Sequence, residues 1–149
     1  MTDAPSPAAL RLDVAALNAF LARAFPASEP GQMPQVTHVE PGLARVSAPT
    51  SDRSLRPGGV ISGPTMMSLA DMAAYALILA HIGEVAMAVT TSLTIHFLRP
   101  CRPGALVAEA RMLRLGRRIA TCEISLWTEG PDKIAARATV AYALPDGNA

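Results

Sequence analysis

The apolar and polar positions divide the chain into two kinds of segment. From Ser62 to Ile82 nearly every position is apolar, and Met66, Leu69, Ala73, Leu77 and Ile78 share the stretch with Met67, Ala70, Met72 and Leu79 so that no helical face is left polar. Such a helix is predicted to be buried on all sides. Ser62 and Gly63 suit its cap, Pro64 its first turn, and Gly83 its end. From Val89 to Phe97 the period changes to two: Val89, Thr91, Leu93, Ile95 and Phe97 alternate with Thr90, Ser92, Thr94 and His96. This predicts a long strand with one apolar face.

The remaining segments follow from the same two periods. Asp13 to Phe25 carries Val14, Leu17, Phe20, Leu21 and Phe25 at helical spacing, a short amphipathic helix that lids the core or lines an acyl pocket with its two phenylalanines. Gln35–Glu40 and Leu43–Ala48 form a hairpin about Pro41-Gly42, and Pro49 to Gly59 is a polar loop. Ala105–Leu115, Ile119–Thr128 and Lys133–Leu144 are three further strands. The last four strands are joined by short connections, so sequential antiparallel pairing is expected. The fold class is α+β, one curved antiparallel sheet around the apolar helix, in a single domain over residues 1–149 with a flexible 1–10 and a core over 35–144.

Composition narrows the function classes. Half the residues are hydrophobic and 17% are charged, with a formal net charge of +1. There is no basic run and aromatic residues make up only 4%, so no nucleic-acid partner is expected. Cys101 and Cys122 lack metal-ligand spacing, and His38, His81 and His96 are scattered, so no metal is expected and two reduced thiols are. The N-terminal residues lack a basic and apolar leader, which points to a cytoplasmic protein. Pro64 to Ile82 approaches membrane-spanning length, but Asp71 at its centre predicts a core helix and no membrane partner.

Asp71 is the one charge in the helix. Burying a carboxylate costs several kcal/mol, roughly, so a partner or a task must offset it. Gly63 lies eight residues earlier, about 12 Å along the axis at about 1.5 Å per residue. If the two act on one bond, a second copy of the chain must bring its Asp71 to this Gly63.

Three groups of residues carry a family resemblance. They are Ser62-Gly63-Pro64 with Asp71 after six more residues, Val89-Thr90-Thr91 running to Phe97-Leu98-Arg99-Pro100, and Leu115-Gly116-Arg117-Arg118. Together they resemble the hotdog-fold thioesterases, in the phenylacetate-degradation (PaaI-like) branch. The resemblance implies an acyl-CoA thioesterase acting on small to medium or aromatic acyl groups, with no cofactor beyond the coenzyme A of its substrate. Gly63 N–H would receive the thioester oxygen, Asp71 of a second protomer would serve as general base or nucleophile, and Thr90 would hold Asp71 or its water. A homodimer or tetramer with active sites between subunits is implied. The branch's His-Gly-Gly reads Ser62-Gly63-Pro64 here, and its upstream asparagine falls at Arg56. Ser62 and Pro64 therefore join the substrate-binding candidates with Thr91, and Arg56 becomes a candidate for a phosphate or a substrate carboxylate. Arg99, Arg117 and Arg118 are candidates for coenzyme A phosphates. Two other classes remain open: a hotdog dimer that binds an acyl ligand without turning it over, and a hydratase, which the lack of a histidine at the helix start disfavours.

Overall fold

The computed structural model describes residues 9–26 and 31–145. Most of the 1–10 segment and part of the Ala27 to Pro34 linker lie outside the described residues. Helix α1 is Val14–Ala24, capped by Asp13, whose carboxylate accepts the Ala16 N–H at 2.8 Å. Its Leu17, Phe20 and Leu21 are buried. Strands β1 (Gln35–Glu40) and β2 (Leu43–Ala48) make the expected hairpin, with Gly42 at φ +80° where other residues are strained.

The polar loop before the long helix has more structure than its sequence suggests. A 3₁₀ turn at Asp52–Ser54 leads into a small hairpin of β3 (Leu55–Arg56) and β4 (Val60–Ile61). Gly58 and Gly59, both at positive φ, make its turn. Ile61 N–H also donates to Cys101 O at 2.8 Å, tying the loop to the chain just beyond Pro100.

Helix α2, Gly63–Ile82, crosses the concave face of the sheet and carries the core, with Leu77, Ile78 and Leu79 fully enclosed. It is long and apolar enough to cross a membrane, but 67% of its most apolar window is buried within the fold. The expectation of burial on all sides is corrected along one stripe. Pro64, Met67 and Ser68 are exposed, and Asp71 and Met72 only half-buried, because no strand covers that side of α2.

Strands β5 (Val89–Phe97), β6 (Leu106–Leu115), β7 (Ile119–Trp127) and β8 (Ala136–Ala143) complete a six-stranded antiparallel sheet in the order β1-β2-β6-β7-β8-β5. Sequential pairing therefore holds for β6–β7–β8 but not for β5. The proline-rich connection after Phe97 carries the chain past β7 and β8, so that β5 pairs with β8 and β6 with β2. Strand β8 begins three residues later than expected because Lys133 N–H and Ala135 N–H close the preceding turn, onto Gly130 O at 3.0 Å and Leu126 O at 2.8 Å.

The simple alternation along β5 is also corrected. A bulge lies between Thr90 and Ser92, with Leu93 opposite Val140, Thr90 opposite Tyr142, and Thr91 as the extra residue. One inserted residue reverses the parity of all that precedes it. Thr90 thus shares the inner face with Leu93, Ile95 and Phe97 instead of pointing outward with Thr94 and His96.

The two sheet edges differ. At β1, the Asn18 side chain of α1 plugs the edge, donating to Val36 O at 3.0 Å and accepting from Val36 N at 2.8 Å. Among the described residues nothing pairs with the outer edge of β5. That strand carries no Lys and no Pro, and it exposes Val89 and Phe97.

Candidate functional site

The bulge in β5 places Thr90 against the helix carboxylate. Thr90 Oγ1 donates to Asp71 Oδ1 at 2.6 Å. Tyr142, opposite Thr90 on β8, donates to the same oxygen at 2.7 Å and lies 3.1 Å from Asp71 O. The Tyr142 ring stacks on Tyr75, one turn along α2 from Asp71, with centroids 5.9 Å apart. Burial pushes the Tyr142 hydroxyl well above its ordinary range and the neighbouring Asp71 carboxylate adds to this, so Tyr142 stays a proton donor at neutral pH. Two hydroxyls thus fix Oδ1. Oδ2 meets no donor among the described residues and belongs to a carboxylate lining an open cavity of about 380 Å³ with Phe25, Met72, Tyr75 and Thr90. Asp71 is therefore half-buried and hydrogen-bonded, not enclosed, and no cation among the described residues neutralises it.

Sequence reasoning missed Tyr142. Its signal was only an aromatic in an apolar strand, and pairing to Thr90 depends on a register that strand periodicity does not give. Phe20 and Phe25 divide: Phe20 packs edge-on to Tyr75 inside the core, while Phe25 lines the Asp71 cavity.

Gly63 opens a second cavity, of about 480 Å³, lined also by Arg56, Ile61, Met66, Phe97, Arg99 and Cys101. The first turn of α2 accounts for its other amides. Ser62 N–H donates to Ser54 O at 2.8 Å, Thr65 N–H to Ser62 Oγ at 3.3 Å and Met66 N–H to Ser62 O at 3.2 Å. Pro64 has no N–H. Gly63 N–H is left as the one donor of that turn with no acceptor among the described residues, at the positive end of the helix dipole. The Phe97 ring stands over it: a methyl built on Gly63 would lie 3.2 Å from Phe97 Cζ.

The other candidates disperse. Ser62 caps α2 and shares a 2.7 Å hydrogen bond with the Thr65 hydroxyl. Pro64 faces a different cavity, with Thr65 and Ser68. Thr91, the bulged residue, donates to Ala141 O at 3.2 Å and does not reach Asp71. Arg117 and Arg118 line a fourth concavity, of about 470 Å³, with Arg114. Ile119 pairs with Ala143, which pairs with Val89, so this arginine turn lies at the Asp71 end of the sheet. No histidine lines the Gly63 or Asp71 cavity. His81 is buried and accepts Gly42 N–H at 3.1 Å, and exposed His38 lies 3.8 Å from Glu40. Cys101 and Cys122 are buried and free, the Cys122 thiol pushed up to about 12 by burial.

Comparison with known proteins identifies the family and the fold. The thioesterase superfamily model matches residues 58–135, which span both Gly63 and Asp71. A candidate thioesterase from Silicibacter sp. TM1040 has a similar crystal structure, with a TM-score of 0.84 and 37% identity over 93% of this chain and 96% of that one. The phenylacetic acid degradation protein PaaI of Thermus thermophilus, solved as a mutant, gives a TM-score of 0.65 at 30% identity, covering 76% of this chain and 95% of its own. A candidate esterase of Saccharolobus solfataricus is 31% identical over 70% of this chain and 73% of its own length. The chain spans 65% of the length of a second candidate esterase from the same organism.

Proposed function

The chain belongs to the thioesterase superfamily, a hydrolase family of the hotdog fold, and on that premise we propose that it hydrolyses acyl-CoA thioesters at a cleft shared by two protomers. The observation that carries this reading is the placement of the unpaired Gly63 N–H and the open Asp71 Oδ2 at opposite ends of the bare β5 edge. Pairing β5 with its own copy in antiparallel fashion, about a two-fold axis at Thr94, sets Thr90 of one protomer beside Phe97 of the other, because the bulged Thr91 has no residue opposite it. Each Gly63 then faces the partner's Asp71. The pairing also removes an exposed edge and covers Val89, Phe97 and Met67.

In the joint cleft, Gly63 N–H receives the thioester carbonyl oxygen and stabilises the negative charge that grows on it. Asp71 Oδ2 of the partner takes a proton from water while the water oxygen attacks the carbonyl carbon. The C–S bond then breaks, and coenzyme A leaves as its thiol or thiolate. Direct attack by the carboxylate, giving a mixed anhydride that water opens, uses the same two groups. Arg117 and Arg118, near the partner's Asp71, suit the phosphates of coenzyme A.

One observation favours a second reading, a dimer that binds acyl-CoA without hydrolysis. The residue where the PaaI-like pattern has histidine, Ser62, is occupied by capping the helix. Free-thiol release from short, long and aryl acyl-CoAs separates the two. Wild-type protein is expected to release thiol, and Asp71→Asn to keep its fold and lose about 100-fold or more, the scale of a lost general base. Tight binding without release selects the second reading. Undiminished release by the variant removes Asp71 from the mechanism.

A further inference from the structure

The Gly63 cavity has a charge pattern that hydrolysis of a neutral acyl group does not require. Arg56 reaches it from the β3–β4 hairpin and Arg99 from the end of β5. Its other lining residues are apolar or glycine, and no carboxylate is among them. Neither arginine forms an ion pair among the described residues, whereas Arg23, Arg45, Arg111 and Arg137 all do. Both arginines are exposed, so an anion entering the apolar concavity meets two guanidinium groups.

Coenzyme A does not supply this anion in the proposed pose. Its phosphates lie at the far end of the pantetheine arm from the thioester, and Arg56 and Arg99 share their cavity with Gly63, where the carbonyl would sit. The arginine turn on the partner, with its own concavity, is the better match for the phosphates. The group within reach of Arg56 and Arg99 is then the acyl chain itself, and because both arginines line the same cavity as Gly63 a short chain suffices to reach them. Resting on the thioesterase reading, we infer that the preferred substrate is a short acyl thioester ending in a carboxylate, held by Arg56 and Arg99 through charge-assisted hydrogen bonds.

The test compares glutaryl-CoA with hexanoyl-CoA, a charged and an uncharged chain of similar length, and repeats the pair as N-acetylcysteamine thioesters, which carry no phosphate. The expected kcat/KM favours the glutaryl ester by about tenfold or more in both series, the scale of one charge-assisted contact. In Arg56→Gln that preference collapses in both series, and Arg99→Gln serves as an independent second variant. Equal or lower turnover of the glutaryl esters overturns the inference. So does a loss in the variants that falls equally on both CoA esters and spares the N-acetylcysteamine esters, which would assign the arginines to the phosphates. If no thioester is hydrolysed the hydrolase reading fails, and equilibrium binding of the same CoA pair then decides the anion preference by itself: tighter glutaryl-CoA supports it and equal affinity ends it.

Discussion

The two ends of β5 present opposite chemistry. At the Phe97 end, Gly63 contributes a fixed N–H dipole with no acceptor among the described residues, where the two side-chain charges beside it are positive. At the Thr90 end, Asp71 contributes the one negative charge, its Oδ1 locked by two hydroxyls and its Oδ2 open. The first end is built from backbone that the helix N-terminus leaves unsatisfied. The second is built from side chains that three elements bring together. Each is unfinished in the way the other could complete: among the described residues, a donor without an acceptor, and a carboxylate oxygen without a donor. The difference explains why one chain separates them by two turns of helix. A carboxylate placed beside Gly63 in the same chain would occupy its N–H and cancel both.

Subunit complementation is the strongest way to break this comparison. Asp71→Asn and Gly63→Val each disable one end, the second by driving a bulky side chain into the Phe97 ring that already crowds that position. Each variant alone is expected to lose about 100-fold or more of its thioester hydrolysis. Mixed after dissociation, half of the random dimers are hybrids, and each hybrid has one cleft with an intact Gly63 facing an intact Asp71. Activity should return to about one quarter of wild type, as two-fold symmetry dictates. No recovery in verified hybrids would place both groups of a working site in one chain.

A smaller effect sharpens the Asp71 end. Tyr142→Phe keeps the ring stacked on Tyr75 and removes one of the two donors on Oδ1. A hydrogen bond to a charged group contributes about 1.5–3 kcal/mol, so kcat should fall by about tenfold with KM little changed. A purely structural tyrosine would alter thermal stability and leave kcat where it was.

How much of this was readable beforehand follows the same division. The long helix, its cap and the position of Asp71 come from local rules, because a run of apolar residues after Ser-Gly-Pro leaves few alternatives. Gly63 is equally local. The Asp71 environment is not, since it depends on β5 lying beside β8 and on a bulge at Thr91, neither of which has a signature in a period of two. Thr90 was singled out through family resemblance, while the alternation alone would have turned it outward. Tyr142 depends on register across two strands and stayed hidden. The small β3–β4 hairpin has no signature in the sequence because its strands are two residues each, too short for any periodicity.

The least effect expected concerns stability in alkali, and it separates the two ends by their protons. Tyr142 holds its proton more tightly in the folded chain than the ordinary tyrosine value of 10.0, first because burial disfavours the phenolate and then because Asp71 lies against it. A group whose folded value is raised contributes its full stabilisation below its unfolded value. As pH rises past 10.0 the unfolded chain releases the proton first, and the native state loses ground by at most about 1.4 kcal/mol per pH unit for one group. Tyr142→Phe has no such proton to lose, so its denaturant midpoint should fall less steeply than wild type above pH 10.0 even if it starts lower. Arg56→Gln, at the other end, removes a cation that stays charged over this whole range and should leave the alkaline slope parallel to wild type. Parallel curves for wild type and Tyr142→Phe would mean that the hydroxyl reaches solvent in the folded protein, and that Oδ1 of Asp71 is held by Thr90 alone.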